Sequence, residues 1–288
     1  MENRFRLASA SYERETEDQK IEPQKIFYLS VEGNVTEKEY FEGLSKYRDQ
    51  LGINRRIDVE ILKRSSKDTN SAPKYVLELL EEYLRLRKLG NERLTEEIPK
   101  EFIDSYGIEF ITKYIESPGE LSTKEKNRFA TELRKIGYDI NYRKYLNTYK
   151  NDIDEFGIVI DRDVLTHSKE NMYDCIKHCK DAGYNCYISN PCFEFWLLLH
   201  LSDVKEEYRE QMDDIFHNKK ISQHHTFVSR EVSNKAHHNK GNINFQKNYL
   251  PYVFLASERA KMFEEKEEKL IDNIGCNLWK LIEKLKAF

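Results

Sequence analysis

The sequence predicts an α/β fold: a parallel sheet flanked by helices, broken by a helical insertion and followed by a helical C-terminal region. Three observations carry this reading. Short apolar runs recur at 26–31, 57–62, 156–160 and 184–189, each bounded by turn or polar residues. Amphipathic helical stretches follow those runs, as crossover connections between parallel strands require. The rhythm stops between 90 and 150, where charged, Tyr-rich, helix-prone sequence intervenes.

Residues 1–24 read as a polar arm. The run Ile26–Val31 ends in Glu32-Gly33, the pattern of a strand buried on both faces and closed by a turn. TEKEYFEGL then starts a helix, with Thr36 and Glu39 at capping-box spacing and Tyr40, Phe41 and Leu44 on its inner face. A second strand is expected at 57–62 and a helix from Ser71 and Pro73 to about Leu89, closing the first half of the core at 25–89. The insertion occupies 90–150. The second core half, 151–201, brings a strand ending at Asp161-Arg162-Asp163, a helix from about Ser168 to Ala182 stopped by Gly183, a fourth strand at 184–189, and Asn190-Pro191 capping the helix CFEFWLLLHL. The remainder, 202–288, combines a basic, His-rich segment with two amphipathic helices over 252–288.

Composition narrows the function classes. Aromatics are 12% of the chain and charged residues 34%, which excludes a disordered chain and describes a core under solvated helices. The net charge of −4 excludes a uniformly basic nucleic-acid binder but permits a local basic face. No run of 18 apolar residues occurs, so no spanning helix is expected. The polar N-terminus lacks a signal-peptide centre. Five cysteines without a secretory signal read as reduced thiols in a cytoplasmic chain.

In an open parallel sheet, ligands bind beyond the carboxyl ends of the strands. Glu32 follows the first strand there, Asp161 and Asp163 the third, and Asn190 and Glu194 the fourth. Glu32 and Asp161 are 129 residues apart (161 minus 32), so only folding can join them. Extended residues at i and i+2 point to one side, about 6–7 Å apart, so Asp161 and Asp163 are expected to face one pocket with Arg162 turned away. Converging carboxylates repel unless a cation lies between them. Oxygen donors without Cys or His select Mg2+ or Mn2+, ions that activate water and stabilise the leaving oxygen of a phosphodiester. Each motif alone also has an ordinary structural reason: a turn, a capping box, or an acid complementing a helix N-terminus.

At this point the residues resemble a known family. VEGNVTEKEYF is similar to the E-G-x-x-T-E-x-x-Y-F block of RloB-like proteins, IVIDRD to their D-x-D strand end, and SNPCFEFWLLLH to their N-P-x-F-E-x-W-x-x-x-H block. The blocks occur in the family's order over 26–87 and 152–201. The resemblance implies a Toprim-like domain akin to that of OLD-family nucleases, and an anti-phage role in restriction or abortive-infection loci beside an ABC- or SMC-like ATPase. Carried over by position, Glu32, Asp161 and Asp163 would hold metal, with Glu32 and Glu37 in catalysis. Lys240, in HHNKGN, is the candidate for a phosphate-assisting lysine. Glu194, His200 and Asn190 fall on family positions of less defined role. The long insertion and the GCNLWKLIEKLKAF ending depart from the family pattern.

Other clusters have ordinary readings. Cys175, Cys179, Cys186 and Cys192 with His178 offer only one zinc-like pair. His224, His225, His237 and His238, with Asn239, lack an evident strand-strand-helix setting for an HNH site. They sit in 217–248, where six Lys or Arg and one Glu leave a net +5, a loop suited to phosphate. Tyr83, Tyr106, Tyr114, Tyr138, Tyr142 and Tyr145 could stack on unpaired bases, but packing is the commoner reason for such residues. Glu194 and His200, six apart, lie on different sides of a helix, and His200 reads as a hydrogen-bonded histidine at a helix end.

The reading expected is a Mg2+- or Mn2+-dependent endonuclease acting on nucleic acid (RNA, tRNA included, or DNA) with an ATPase partner and no membrane. The low charge points to a partner's basic groove or a small structured RNA. The chain has no G-x-x-x-x-G-K-[ST], so ATP dependence would come from another chain. A homodimer is among the oligomeric states open to it. The competing reading, from another class, is a non-catalytic partner or sensor subunit of that ATPase. A primase or topoisomerase would need accessory domains the chain does not show.

Overall fold

The computed structural model describes residues 23–33, 35–63, 72–89, 91–148, 152–237 and 243–287. In chain order the elements are β1 (Lys25–Val31), α1 (Thr36–Lys46), β2 (Ile57–Leu62) and α2 (Pro73–Leu89). The inserted stretch holds α3 (Lys100–Tyr106), α4 (Ile108–Glu116), α5 (Thr123–Lys135) and α6 (Ile140–Thr148). Then come β3 (Glu155–Asp161), α7 (Lys169–Ala182), β4 (Asn185–Asn190) and α8 (Phe193–Leu201). The C-terminal third contains α9 (Val204–Glu207), α10 (Met212–His217), α11 (Phe227–Ala236), α12 (Phe245–Asn248), α13 (Val253–Ala260), α14 (Glu267–Leu270), β5 (Gly275–Cys276) and α15 (Trp279–Lys286).

The strands form one sheet in the order β2-β1-β3-β4-β5. β1 pairs with β3 in parallel, with Val31 opposite Val159, and β3 with β4 in parallel, with Asp161 opposite Ser189. This is the expected α/β class. From the central pair β1 and β3, the chain crosses outward to β2 on one side and to β4 on the other. The carboxyl ends of β1 and β3 are therefore the topological switch point, where an open α/β sheet binds its ligands.

By compactness the chain divides into two units. The larger comprises Ile21–Ile61, Ser71–Leu77 and Ile153–Phe288 and contains the sheet. All seven β1 residues are buried, which explains the unbroken apolar run at 26–31. Phe27, Leu29 and Val31 join the main core with Tyr40, Phe41 and Leu44 of α1. Between them Ser30 is buried and donates its hydroxyl to the Val76 carbonyl at 2.7 Å. α8 is buried from Phe193 through His200 and packs against α11 and α13. A helix apolar on every side needs cover on every side, and the C-terminal helices supply it.

The smaller unit centres on Glu78–Asp152. Its core is aromatic: Phe129 of α5 meets Tyr106 at 5.0 Å and Tyr114 at 4.9 Å between ring centres, both edge-on, an arrangement favoured by the ring quadrupoles. Ser122 and Glu125 close a full capping box at the start of α5. Arg143 is buried, lies 4.3 Å from the Tyr138 ring centre, and donates to Glu82 at 3.1 Å. Tyr83, Tyr114, Tyr138 and Tyr142 are all buried, so packing accounts for these four tyrosines.

Several local expectations hold. α7 starts after Ser168, whose hydroxyl accepts from the Asn171 N–H, and ends at Gly183 in the left-handed conformation, φ 75°. All five cysteines are free and buried. Among the described residues no helix is long and apolar enough to cross a membrane.

Others are corrected. α1 has no side-chain cap: Glu39 does not close a box on Thr36 but accepts the Ile243 N–H at 2.8 Å, a long-range demand that overrides the local motif. Asn190 is the last residue of β4, and Cys192 is the N-cap residue of α8. The C-terminus is not two helices alone. Gly275–Cys276 forms a two-residue antiparallel edge strand on β4, too short to carry a sequence signal. Gly275 is required there, because a Cβ would lie 2.0 Å from the Glu264 carbonyl oxygen. The N-terminal arm up to residue 22 lies outside the described residues.

Candidate functional site

Four carboxylates from four elements act on one another at the switch point. Glu32 follows β1, Asp161 ends β3, Glu37 lies in the first turn of α1, and Glu194 in the first turn of α8. The Asp161 backbone N–H donates to Glu32 Oε2 at 3.1 Å, and the Glu32 N–H to the Val159 carbonyl at 3.1 Å. The two strand ends are thus laced together. The backbone of Phe193, the first residue of α8, favours the ionised form of Asp161. Two helix N-termini supply partial positive charge to this edge, which offsets part of the repulsion.

The proximity shapes the electrostatics. Glu37 is buried, and burial followed by repulsion from Glu194 and Glu32 pushes its carboxyl up to about 7. Burial together with the charges of Glu32, Glu37 and Glu194 raises Asp161 well above the usual carboxylate range. Such mutual perturbation of acids at a ligand-binding edge is characteristic of functional sites.

Gly33 has a specific purpose here. Its N–H donates to Glu37 Oε1 at 2.8 Å, and a Cβ on it would sit 2.1 Å from the other Glu37 carboxylate oxygen. The Glu-Gly-x-x-Thr-Glu spacing therefore folds one acid back over the glycine that follows the other.

Asp163 departs from the expected arrangement. The strand does not continue through it: its φ is 23°, and its Oδ1 accepts the Leu165 N–H at 3.2 Å. Glu194 is among the charges that act most strongly on Asp161 and Glu37. Extended i, i+2 geometry fails because the chain turns immediately after Asp161. Asp163 shapes that turn, its carbonyl accepting the His167 N–H at 3.0 Å. The turn returns His167 to the site, where Nε2 lies 3.3 Å from Glu32 Oε1. His167 was missed in the sequence; a histidine in a strand-to-helix loop at the ligand-binding edge was the available signal.

Arg162 points away as expected. It is buried and donates to the Ile271 carbonyl at 2.7 Å and the His167 carbonyl at 2.8 Å. Asn190 is fully buried, donates to the Leu270 carbonyl at 2.6 Å, and its Oδ1 has no hydrogen-bond partner among the described residues. His200 does not reach the acids. It is buried between the Trp196 carbonyl, 2.9 Å from Nδ1, and the Tyr40 hydroxyl, 3.2 Å from Nε2, and burial lowers its pKa to about 3. It is a neutral structural imidazole. Lys240, with His238 and Asn239, lies outside the described residues.

Residues 27–285 match the family described as RloB-like protein. The chain belongs to the RloB-like family. The match spans the insertion and the C-terminal helices as well as the three motif blocks. No curated protein and no solved structure matched this RloB-like chain.

Do the residues suit a divalent cation? Among the described residues, no three His, Cys, Asp or Glu side chains stand at the spacing of a ready metal shell. Glu32 and Glu37 are tied instead to backbone N–H groups and His167. The donor chemistry does suit one: a set of oxygen acids whose mutual repulsion a hard cation would relieve.

Proposed function

We propose that this RloB-like protein is a Mg2+- or Mn2+-dependent endonuclease, the effector of a bacterial anti-phage system that works with an ABC- or SMC-like ATPase. The observation that carries the reading is the meeting of Glu32, Glu37, Asp161 and Glu194 at the switch point, with two of the four held toward protonation. Glu32 and Asp161 would hold the cation, with Glu194 taking the place expected of Asp163. Once bound, the ion would supply an activated water and stabilise the leaving oxygen of a phosphodiester. Glu37 titrates near neutral pH and is the group suited to take up and return a proton. His167 holds Glu32 in orientation. The Toprim relation and the defence role rest on the family resemblance.

A second reading, a non-catalytic subunit docking on the ATPase, draws on one specific observation: the acids are not arranged as a ready metal shell. One experiment separates the two. Purified full-length protein, with and without the ATPase, is incubated with tRNA, rRNA, single-stranded DNA and duplex DNA in Mg2+ or Mn2+. Cleavage that EDTA and Asp161→Ala both abolish supports the nuclease. Intact nucleic acid in every mixture, with defence retained by Asp161→Ala cells, supports the docking subunit.

A further inference from the structure

The basic His-rich segment is not absorbed by the acid site, yet its described part is rooted beside it. Asn218 ends α10 in the left-handed conformation, φ 40°. Its Nδ2 donates to Cys192 Sγ at 3.3 Å and its Oδ1 accepts the Val228 N–H at 2.9 Å. Cys192 immediately precedes Phe193, whose backbone acts on Asp161. One side chain therefore ties the base of the segment to the start of α8, whose first turn carries Glu194.

From Asn218 the chain makes a closed hairpin. The Phe227 N–H donates to the Lys219 carbonyl at 3.0 Å, and Lys220 bridges Thr226. At the tip, the Ile221 and Ser222 N–H groups donate to the His225 carbonyl at 2.9 and 3.2 Å. Ser222 Oγ accepts the His224 and His225 N–H groups at 3.3 and 3.1 Å. Thr226 then caps α11. The hairpin is thus built, with each end anchored and its turn satisfied.

Its charge is one-sided. Residues 218–226 carry two lysines and two histidines and no acid, in a chain of net charge −4. Lys219, Lys220 and His224 are exposed. Neighbouring cations have acidic partners: Arg230 pairs with Glu231 and Lys235 with Glu207. Among the described residues Lys219 and Lys220 have no such partner.

We infer that the hairpin 218–226 is the phosphate-gripping wall of this protein, holding the backbone of a nucleic-acid strand beside the acid cluster through Lys219, Lys220 and His224. Acid clusters repel polyanions, so an acidic nuclease needs a local cationic surface to hold its substrate. The inference deepens the nuclease reading and rests on it for the identity of the bound polymer. It assigns the grip to this chain, independently of any partner's groove.

The test is binding of a fluorescent single-stranded RNA, a single-stranded DNA and a duplex to the full-length protein in EDTA, over a range of salt. The double substitution Lys219→Glu/Lys220→Glu should weaken binding at least about tenfold at moderate salt and flatten the log–log salt slope by about 1–2. Lys219→Ser/Lys220→Ser guards against misfolding, and both are checked by circular dichroism. Reversing two exposed cations of the insertion, Lys124→Glu/Lys135→Glu, changes the net charge equally and should have little effect. The inference is overturned if the hairpin variants bind like wild type, if the control pair weakens binding as much, or if wild type binds none of the three. Cleavage in Mg2+ is followed in parallel. Wild-type cleavage that the hairpin variants match would overturn the wall and leave the acid site standing. Cleavage surviving Asp161→Ala would do the reverse.

Discussion

The backbone N–H of Asp161 donates to the carboxylate of Glu32 at 3.1 Å, across 129 residues of chain. The bond uses one oxygen of Glu32 and leaves the other to His167 Nε2, 3.3 Å away. Glu32→Ala removes both contacts and one donor of the site. Asp161→Ala removes a donor and the carboxylate that faces the α8 N-terminus. Each should lower cleavage by at least about a hundredfold with the fold intact, as loss of ligands and their supports does in metal sites. Asp163→Asn keeps the turn and should cost far less. Cleavage rates with circular dichroism check all three; equal losses for Asp163→Asn and Asp161→Ala would restore Asp163 to the ligand set.

Gly33→Ala tests the folding-back of Glu37. The new Cβ would occupy the space of the Glu37 carboxylate, 2.1 Å from an oxygen. Glu37 must then leave its N–H bond to Gly33 and its place among the acids. Divalent-cation affinity measured by calorimetry should fall at least about tenfold, while stability changes by about 1 kcal/mol. Unchanged affinity would show that Glu37 neither holds the cation nor supports the groups that do.

The acids predict a stability profile for the metal-free protein. Glu37 titrates at about 7 against 4.5 unperturbed. Between those values the folded chain keeps a proton that the unfolded chain releases, so stability falls as pH rises through this window, by roughly 3 kcal/mol from this group. Asp161 shifts in the same direction. His200, held near 3 against 6.5, opposes it: its contribution is present above 6.5 and lost as pH falls toward 3. The melting temperature of Glu37→Gln in EDTA should therefore rise relative to wild type as pH goes from 4.5 to 7, because His200 acts alike in both, and Mg2+ should narrow the difference. A Glu37→Gln profile parallel to wild type sinks this account.

Tyr40 and Arg162 are expected to matter for stability in different places. Tyr40→Phe deprives the buried His200 Nε2 of its 3.2 Å partner and should cost about 1–3 kcal/mol in denaturant unfolding without altering cation affinity. The tautomer required, with Nδ1 protonated toward the Trp196 carbonyl, is visible by NMR.

Arg162→Lys replaces a fork that spans the Ile271 and His167 carbonyls with a single ammonium. One buried carbonyl loses its partner, at about 1–3 kcal/mol. Because His167 sits on that carbonyl's loop, cation affinity should fall as well. A loss of stability with unaltered affinity would limit Arg162 to anchoring the C-terminal segment.

The readable parts of the fold were those with period and punctuation. β1 announced itself as an unbroken apolar run because both its faces are covered, and α7 through Ser168 and Gly183 at its ends. The two-residue β5 could not be read, since a strand that short has no pattern and exists only because β4 offers an edge. Glu39 misled for a related reason: its spacing from Thr36 fits a local box, but a backbone N–H 204 residues away claims its carboxylate.

The site divides along the same line. The sequence by itself determined that acids follow the first and third strands and that a glycine must separate Glu32 from the helix bearing Glu37, because strand ends, glycines and helix starts are local events. Only the tertiary structure decided which acids share a field. It brought Glu194 in, turned the chain at Asp163, and returned His167 to Glu32. Those outcomes depend on strand register, on the turn after Asp161 and on the seating of α8, and electrostatic coupling between carboxylates depends on distance in space, which residue spacing along the chain does not set.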